Sequence, residues 1–248
     1  MSTTIVITMA GRGSRFTAAG YTVPKYQIEA HGHSLFQWSL CSLRHFIAAD
    51  TRLIFVCLKE NDSGDYVRSQ CEVLGIGDVH IVELDELTDG QATSAYLSRT
   101  LWHTHGPLLV YNIDTYVEPD ALRPDAIRAN ADGWVPCFQA PGTHWSFVRL
   151  GDDGWAVEVA EKRRISDHAS VGLYWFGSGA DFVTAYDRYF ADPVHLVGGE
   201  RYVAPLYQQL LRDGLKVAIT DLPPEHVHVL GTPAELAVFL AASPQLPG

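Results

Sequence analysis

The sequence is short of cysteine and methionine, with four and two, and of basic residues, with 18 Lys and Arg against 29 Asp and Glu. Each shortage excludes something. Cys41, Cys57, Cys71 and Cys137 are scattered with no Cys-x-x-Cys spacing, and Cys41 and Cys57 sit within apolar runs. They read as buried free thiols, which points to the reducing cytoplasm. A formal net charge of −11 leaves no phosphate-neutralising stripe, so nucleic acid and anionic membranes are excluded as partners. A small anionic substrate stays open wherever basic groups converge locally. No apolar run reaches about eighteen residues, so no membrane span is expected. The first residues, Met1-Ser2-Thr3-Thr4-Ile5-Val6, lack the basic region and long apolar stretch of a secretion signal. Repeats, low-complexity tracts and linkers are also missing, apart from a short Pro/Gly tail at 243–248.

What is present fits one α/β domain spanning 1–248, since 248 residues at 47% hydrophobic and 19% charged suffice for one large core. Apolar runs that read as buried strands lie at 4–9, 53–58, 79–84 and 108–113, with helical spacing from Ser34 to Ile47 and at 66–74, 92–102 and 119–131. Strands alternating with helices imply a parallel sheet covered on both faces. After about residue 132 the pattern changes. Strands at 134–138, 146–150, 156–160 and 172–176 are separated by turn residues such as Gly151-Asp152-Asp153-Gly154. Helices return at 180–190 and 201–211, followed by a strand at 216–220 and a helix at 234–242. The expected architecture is a Rossmann-like mixed sheet flanked by helices, with an inserted antiparallel section. Residues 1–132 form mainly the nucleotide-binding half and 133–242 mainly the acceptor half.

The loop Gly11-Arg12-Gly13-Ser14-Arg15-Phe16 follows the first strand, where open α/β sheets bind ligands. Its glycines let backbone N–H groups approach phosphate oxygens, and Arg12 and Arg15 add charge-assisted contacts. Phe16 stands where a dinucleotide fingerprint needs a third glycine, and no Gly-Lys-Ser/Thr follows, so neither that motif nor a Walker A loop is present. Pro24-Lys25 comes next, ahead of Gly32; the proline fixes the backbone so that Lys25 can point back at the loop.

With that combination the chain resembles the sugar-nucleotidyltransferase superfamily, whose signature is a strand, G-x-G-[ST]-R-[FLM], then P-K and a glycine before a helix. Further motifs appear in the family's order: Asp89-Gly90-Gln91-Ala92, Leu109-Val110-Tyr111-Asn112-Ile113-Asp114, Val159-Ala160-Glu161-Lys162, Val171-Gly172-Leu173-Tyr174-Trp175-Phe176 and Leu230-Gly231-Thr232-Pro233-Ala234-Glu235-Leu236. The resemblance implies the glycosyltransferase A-type, or nucleotidyltransferase, fold. It implies transfer of a nucleoside monophosphate from a nucleoside triphosphate to a phosphorylated small molecule, with release of pyrophosphate and with Mg²⁺ as cofactor. It also implies the roles. Ala10, Gly11, Gly13, Ser14 and Arg15 would hold the triphosphate, Lys25 the α-phosphate, and Gly90 with Gln91 the base. Asp114 would bind the metal. Glu161, Lys162, Gly172 and Tyr202 would meet the acceptor, with Arg15, Lys25, Asp114 and Lys162 as the catalytic set. The turn at Gly90 suggests a pyrimidine triphosphate (CTP, UTP or dTTP). Products of this kind are NDP-sugars or CDP-activated precursors, such as those used for polysaccharides. Association of identical chains stays open.

One departure stands out. Many relatives carry a second metal-binding Asp two residues before the closing Gly-Thr, and here that residue is Val229, with His226 and His228 nearby. Asp221 is a candidate substitute. A histidine pair two apart on a strand shares one face, which admits zinc but more often packs or hydrogen-bonds. The departure leaves the acceptor open between a sugar 1-phosphate and a non-sugar phosphate or phosphonate. His144-Trp145-Ser146-Phe147 and Glu200-Arg201-Tyr202 are expected on its side. Two other readings compete: a catalytically silent nucleotide-binding homologue, and an A-type glycosyltransferase, for which Ile113-Asp114-Thr115-Tyr116 lacks the Asp-x-Asp metal motif.

Overall fold

A computed structural model describes residues 2–103, 105–242 and 244. Apart from Pro244, the expected tail at 243–248 lies outside them. In chain order, β1 (Thr4–Thr8) leads through the glycine loop into α1 (Ser14–Ala18). A small hairpin, β2 (Glu29–Ala30) with β3 (His33–Ser34), precedes α2 (Leu35–Cys41). Then come β4 (Arg52–Leu58), α3 (Gly64–Val73), β5 (Val79–Leu84), α4 (Gln91–Leu97) and β6 (Leu108–Asn112). The later elements begin with β7 (Thr115–Val117), β8 (Gly133–Gln139), β9 (Ser146–Leu150), β10 (Ala156–Glu161), β11 (His168–Ser170) and β12 (Leu173–Phe176). They close with α5 (Gly179–Tyr189), α6 (Leu206–Arg212), β13 (Val217–Leu222), β14 (Val227–Val229) and α7 (Pro233–Ala241).

Ten strands form one mixed sheet in the order β10-β9-β11-β8-β12-β6-β1-β4-β5, with β13 parallel to β8. β6, β1, β4 and β5 are mutually parallel, while β12, β8, β11, β9 and β10 pair antiparallel. This is the Rossmann-like mixed sheet flanked by helices, with its antiparallel section. The apolar runs of the parallel strands follow from burial on both faces. Ile5 and Ile7 pack with Phe36, Leu40 and Val67 of α2 and α3, while Val6 between them packs with Ala92 and Ala95 of α4 and with Phe182 of α5. A third core joins Phe16 of α1, Trp38 of α2, Tyr116 of β7 and Leu236 and Phe239 of α7. The Trp38 ring lies 4.8 Å from that of Tyr116 and 5.1 Å from that of Phe239. This core brings the N-terminal loop and the C-terminal helix to one place.

Several boundaries differ from expectation. Helix α2 starts on a capping box, Ser34 and Gln37 exchanging side-chain-to-backbone bonds of 3.0 and 3.2 Å. It stops at Cys41, and the chain continues to Phe46 in tight i-to-i+3 turns, with the Ser42 hydroxyl accepting the Val117 N–H at 2.9 Å. The expected helix at 119–131 is absent. Arg123 is extended before Pro124, as the proline ring demands, and only a 3₁₀ turn at Pro124–Ala126 forms. Leu122 still reaches the core, which explains the misleading apolar spacing. The helix expected from 201 begins at Leu206, because the backbone of Arg201 is bonded to Asp89 and Ala92. The short strands β7, β11 and β14 were not expected. Among the described residues no helix is long and apolar enough to cross a membrane.

Candidate active site

A cavity of about 800 Å³ opens at the carboxyl ends of β1 and β6, and its far wall is built from the antiparallel section. Ala10, Gly11, Gly13, Ser14 and Arg15 line it, as do Lys25, Gly90, Gln91, Asp114, Glu161, Gly172 and Tyr202. Lys162 and Asp221 do not.

The glycine loop turns into α1 at Gly13, whose φ of 62° is left-handed. Buried Phe16 anchors that helix in the third core, so Ser14 and Arg15 at its start stay on the cavity side. Arg12, expected to help, turns to exposed Glu60 at 3.6 Å and does not line the cavity. Lys25 follows extended Pro24 and reaches across the cavity, its Nζ donating to Asp114 Oδ2 at 2.8 Å. Asp114 lies just past the end of β6, in the turn to β7. A cation thus already meets the carboxylate expected to hold a metal.

Gly90 has φ 142°, and a β-carbon there would fall 2.3 Å from the carbonyl oxygen of Arg201. Only glycine lets these two backbones meet. Arg201 closes the contact with three bonds: its N–H to Asp89 O at 2.7 Å, its carbonyl from Ala92 N–H at 3.0 Å, and its guanidinium to Asp89 Oδ2 at 2.6 Å. The Gln91 amide does not hang free in the cavity. It donates to Thr8 Oγ1 at 3.0 Å and to Asn112 Oδ1. Gly172, with φ 86°, leaves room for that Asn112, whose amide nitrogen would lie 2.5 Å from any β-carbon.

On the opposite wall the carboxylate of Glu161 accepts from the Ser146 hydroxyl, which also lies 3.1 Å from the hydroxyl of buried Tyr174. Burial holds the Glu161 carboxyl above the usual carboxylate range, and the Ser146 bond opposes part of that rise. Lys162, expected in direct contact with the acceptor, is in left-handed backbone with φ 52°. Its Nζ donates to the Tyr202 hydroxyl and lies 4.4 Å from the centre of that ring. It reaches the cavity through Tyr202. Burial raises the Tyr202 phenol, so it stays protonated at neutral pH. Trp145, His144 and Glu200 also face the cavity, whereas Phe147, buried in the core, and Arg201 of the same two stretches do not line it.

The closing motif reaches the site by a route not legible in the sequence. β14 pairs antiparallel with β7, and the Leu230 N–H donates to Asp114 O at 2.8 Å. Gly231 and Glu235 are thereby set beside Asp114. A β-carbon on Gly231 would lie 3.3 Å from Asp114 Oδ2 and 3.5 Å from Glu235 Oε2, and the latter is buried without a hydrogen-bond partner. Two carboxylate oxygens, one of them unsatisfied, thus lie on either side of Gly231, and oxygen donors of this kind are what a hard divalent cation takes.

The substitutes suggested by sequence do not take part. Asp221 is outside the cavity, 2.8 Å from His168 Nδ1. His226 does not share a strand face with His228; it sits in a 3₁₀ turn against Glu118. His228 stacks on Tyr116 at 5.4 Å. Among the described residues no group of three or more His, Cys, Asp or Glu side chains is placed to hold a metal by itself.

No family model and no curated protein matches the chain. Solved structures do. The nucleoside-diphosphate-sugar pyrophosphorylase from Vibrio cholerae RC9 is 36% identical, with 96% of this chain and 100% of that one covered and a TM-score of 0.88. The inositol-1-phosphate CTP transferase from T. maritima shares the fold at 17% identity and TM-score 0.75, over 95% of this chain and 93% of that one. The chain belongs to the sugar-nucleotidyltransferase superfamily. It is a nucleotidyltransferase.

Proposed function

We propose that the protein transfers a nucleoside monophosphate from a pyrimidine nucleoside triphosphate to a phosphorylated small molecule, releasing pyrophosphate. The observation that carries this is the Lys25–Asp114 pair at 2.8 Å, set between the glycine loop and the wall bearing Glu161 and Tyr202. Attack by an acceptor phosphate oxygen on the α-phosphorus brings anions together while charge builds on the leaving pyrophosphate. Catalysis is then mostly positioning and charge neutralisation, with no protein nucleophile. The four thiols fit this, since all are unpaired and burial pushes Cys57 up to about 11 and Cys71 up to about 12, beyond any nucleophilic range.

In this reading the Gly11–Ser14 amides and Arg15 hold the β- and γ-phosphates. Lys25 leaves Asp114 for the α-phosphate, where charge shifts most. Mg²⁺ held at Asp114 supplies further neutralisation of the triphosphate. Gly90 offers backbone groups to the base, and Gln91, fixed by Thr8 and Asn112, lines the cavity beside it. The compact Gly90-Gln91-Ala92 turn ahead of a helix is read as a pyrimidine site. Glu161 and Glu200 take hydroxyl or amine groups of the acceptor, and Lys162 with Tyr202 takes its phosphate. Free thiols fit a reducing, cytoplasmic setting.

The test is pyrophosphate release from CTP, UTP, dTTP, ATP and GTP, each against a panel of sugar 1-phosphates, amino-alcohol phosphates and phosphonates. Release with a pyrimidine triphosphate and one acceptor class is expected. No release with any pair, in folded protein with Mg²⁺, would leave a silent homologue; clear preference for ATP or GTP would overturn the base assignment.

A further inference from the structure

We propose that Glu235 is a second carboxylate ligand of the cation held at Asp114; this rests on the reading that a divalent cation accompanies the triphosphate there. Two observations converge. Glu235 Oε2 is buried with no hydrogen-bond partner. An unpaired carboxylate oxygen out of water is costly unless a cation or donor meets it. The same oxygen and Asp114 Oδ2 lie 3.5 and 3.3 Å from one point, the place a β-carbon would occupy on Gly231. Gly231 does not have a positive φ, so backbone strain is not what calls for glycine there. With no side chain, it leaves the space between the two carboxylates open.

The ordinary role for this residue is only half filled. Thr232-Pro233-Ala234-Glu235 has the spacing of a capping box, and Thr232 Oγ1 does accept the Glu235 N–H at 3.2 Å. In a complete box the Glu side chain would return to the Thr232 N–H, as Gln37 returns to Ser34. Here Oε2 is not spent on that bond. It faces the space beside Asp114 instead. Position 229, where many relatives carry an aspartate, holds a valine that lines the same cavity and offers no oxygen. Two features hold Glu235 in place: the Leu230 N–H bond to Asp114 O and the packing of the Leu236 and Phe239 side chains in the third core. The helix on which Glu235 sits is therefore fixed relative to Asp114, and a cation there has one carboxylate from the end of β6 and one from the first turn of α7.

The test uses Mn²⁺ as the probe, on the full chain, with a non-hydrolysable analogue of whichever of the five triphosphates binds most tightly. Free Mn²⁺ is read by electron paramagnetic resonance, and metal-bound waters are counted by water-proton relaxation. Wild type is compared with Asp114→Asn, Glu235→Gln and Glu235→Asp, each checked for an unchanged circular dichroism spectrum. In the ternary complex Glu235→Gln is expected to weaken Mn²⁺ by at least the ~10-fold that even outer-shell partners cost, to add a metal-bound water, and to be partly rescued by Glu235→Asp. A helix-capping role alone would lower thermal stability but leave Mn²⁺ affinity and hydration unmoved. Unchanged Mn²⁺ binding in Glu235→Gln, with loss in Asp114→Asn, overturns the assignment and spares the metal at Asp114. Unchanged binding in both variants overturns the metal site itself, and Glu235 with it.

Discussion

The two walls of the cavity are built in different ways. On the β1 side, one short local stretch does the work: Ala10, Gly11, Gly13, Ser14 and Arg15 all line the cavity within six residues just past the end of one buried parallel strand. On the β9–β10 side, each contact needs side chains from distant segments, such as Glu161 with Ser146 and Tyr174, or Lys162 with Tyr202. Backbone groups at a strand end are hard to change one residue at a time, whereas a side-chain network shifts with single substitutions. The first wall suits a ligand part common to many enzymes, the triphosphate. The second suits a part that varies, the acceptor.

That contrast can be broken most sharply on the β1 side, where Lys25 reaches Asp114 at the end of β6. Lys25→Ala or Arg15→Ala is expected to cost turnover roughly a hundredfold, or ~3 kcal/mol of barrier. Arg15 is exposed, so Arg15→Ala should stay within about 0.5 kcal/mol of wild type in stability, whereas Lys25→Ala removes the half-buried partner of Asp114 and should cost about 1 kcal/mol. Steady-state pyrophosphate release together with urea denaturation decides it, and near-wild-type turnover in both variants would remove the loop from the mechanism. Gly90→Ala tests whether the first wall truly depends on backbone approach. With a β-carbon 2.3 Å from Arg201 O, it should lose roughly 2 kcal/mol of stability and weaken nucleotide binding, read by denaturation and calorimetry.

Smaller effects sharpen the other wall. Lys162→Ala should raise the acceptor KM by roughly tenfold while leaving the triphosphate KM unchanged; an equal rise in both would mean that Lys162 serves the whole cavity. The smallest effect is a pH dependence at Glu161. Its folded pKa is raised by burial, so the folded state holds the proton more tightly than the unfolded one. Its contribution to stability is present below the unfolded value, ~4.3, and is lost as pH rises through the folded pKa. Glu161→Gln should therefore gain stability relative to wild type as pH rises through that window, measured by thermal melts from acid to neutral pH. A difference flat with pH would contradict a Glu161 carboxyl raised by burial.

The same contrast explains what the sequence made legible. β1, β4 and β6 were readable because burial on both faces demands unbroken apolar, β-branched runs, and the glycine loop because phosphate approach demands small residues in a fixed order. The ribbon of β7 with β14 was not readable. It pairs Thr115–Val117 with Val227–Val229, strands too short to carry periodicity and too far apart for any local signal. Without that ribbon nothing brings Glu235 to Asp114, and Thr-x-x-Glu looks like any helix start. The absent helix at 119–131 failed for the opposite reason: Leu122 and Ile127 reach the core from irregular chain, and two prolines outweigh their spacing.

The meeting of Gly90 with Arg201 bears on how such proteins diversify. The turn proposed to face the base and the segment carrying Tyr202 share three hydrogen bonds and a backbone contact that tolerates no β-carbon. Neither stretch can drift alone. A chimera that imports a relative's base turn without its partner segment inherits a mismatch at this seam, so preference for donor and preference for acceptor should be exchanged between homologues as one block.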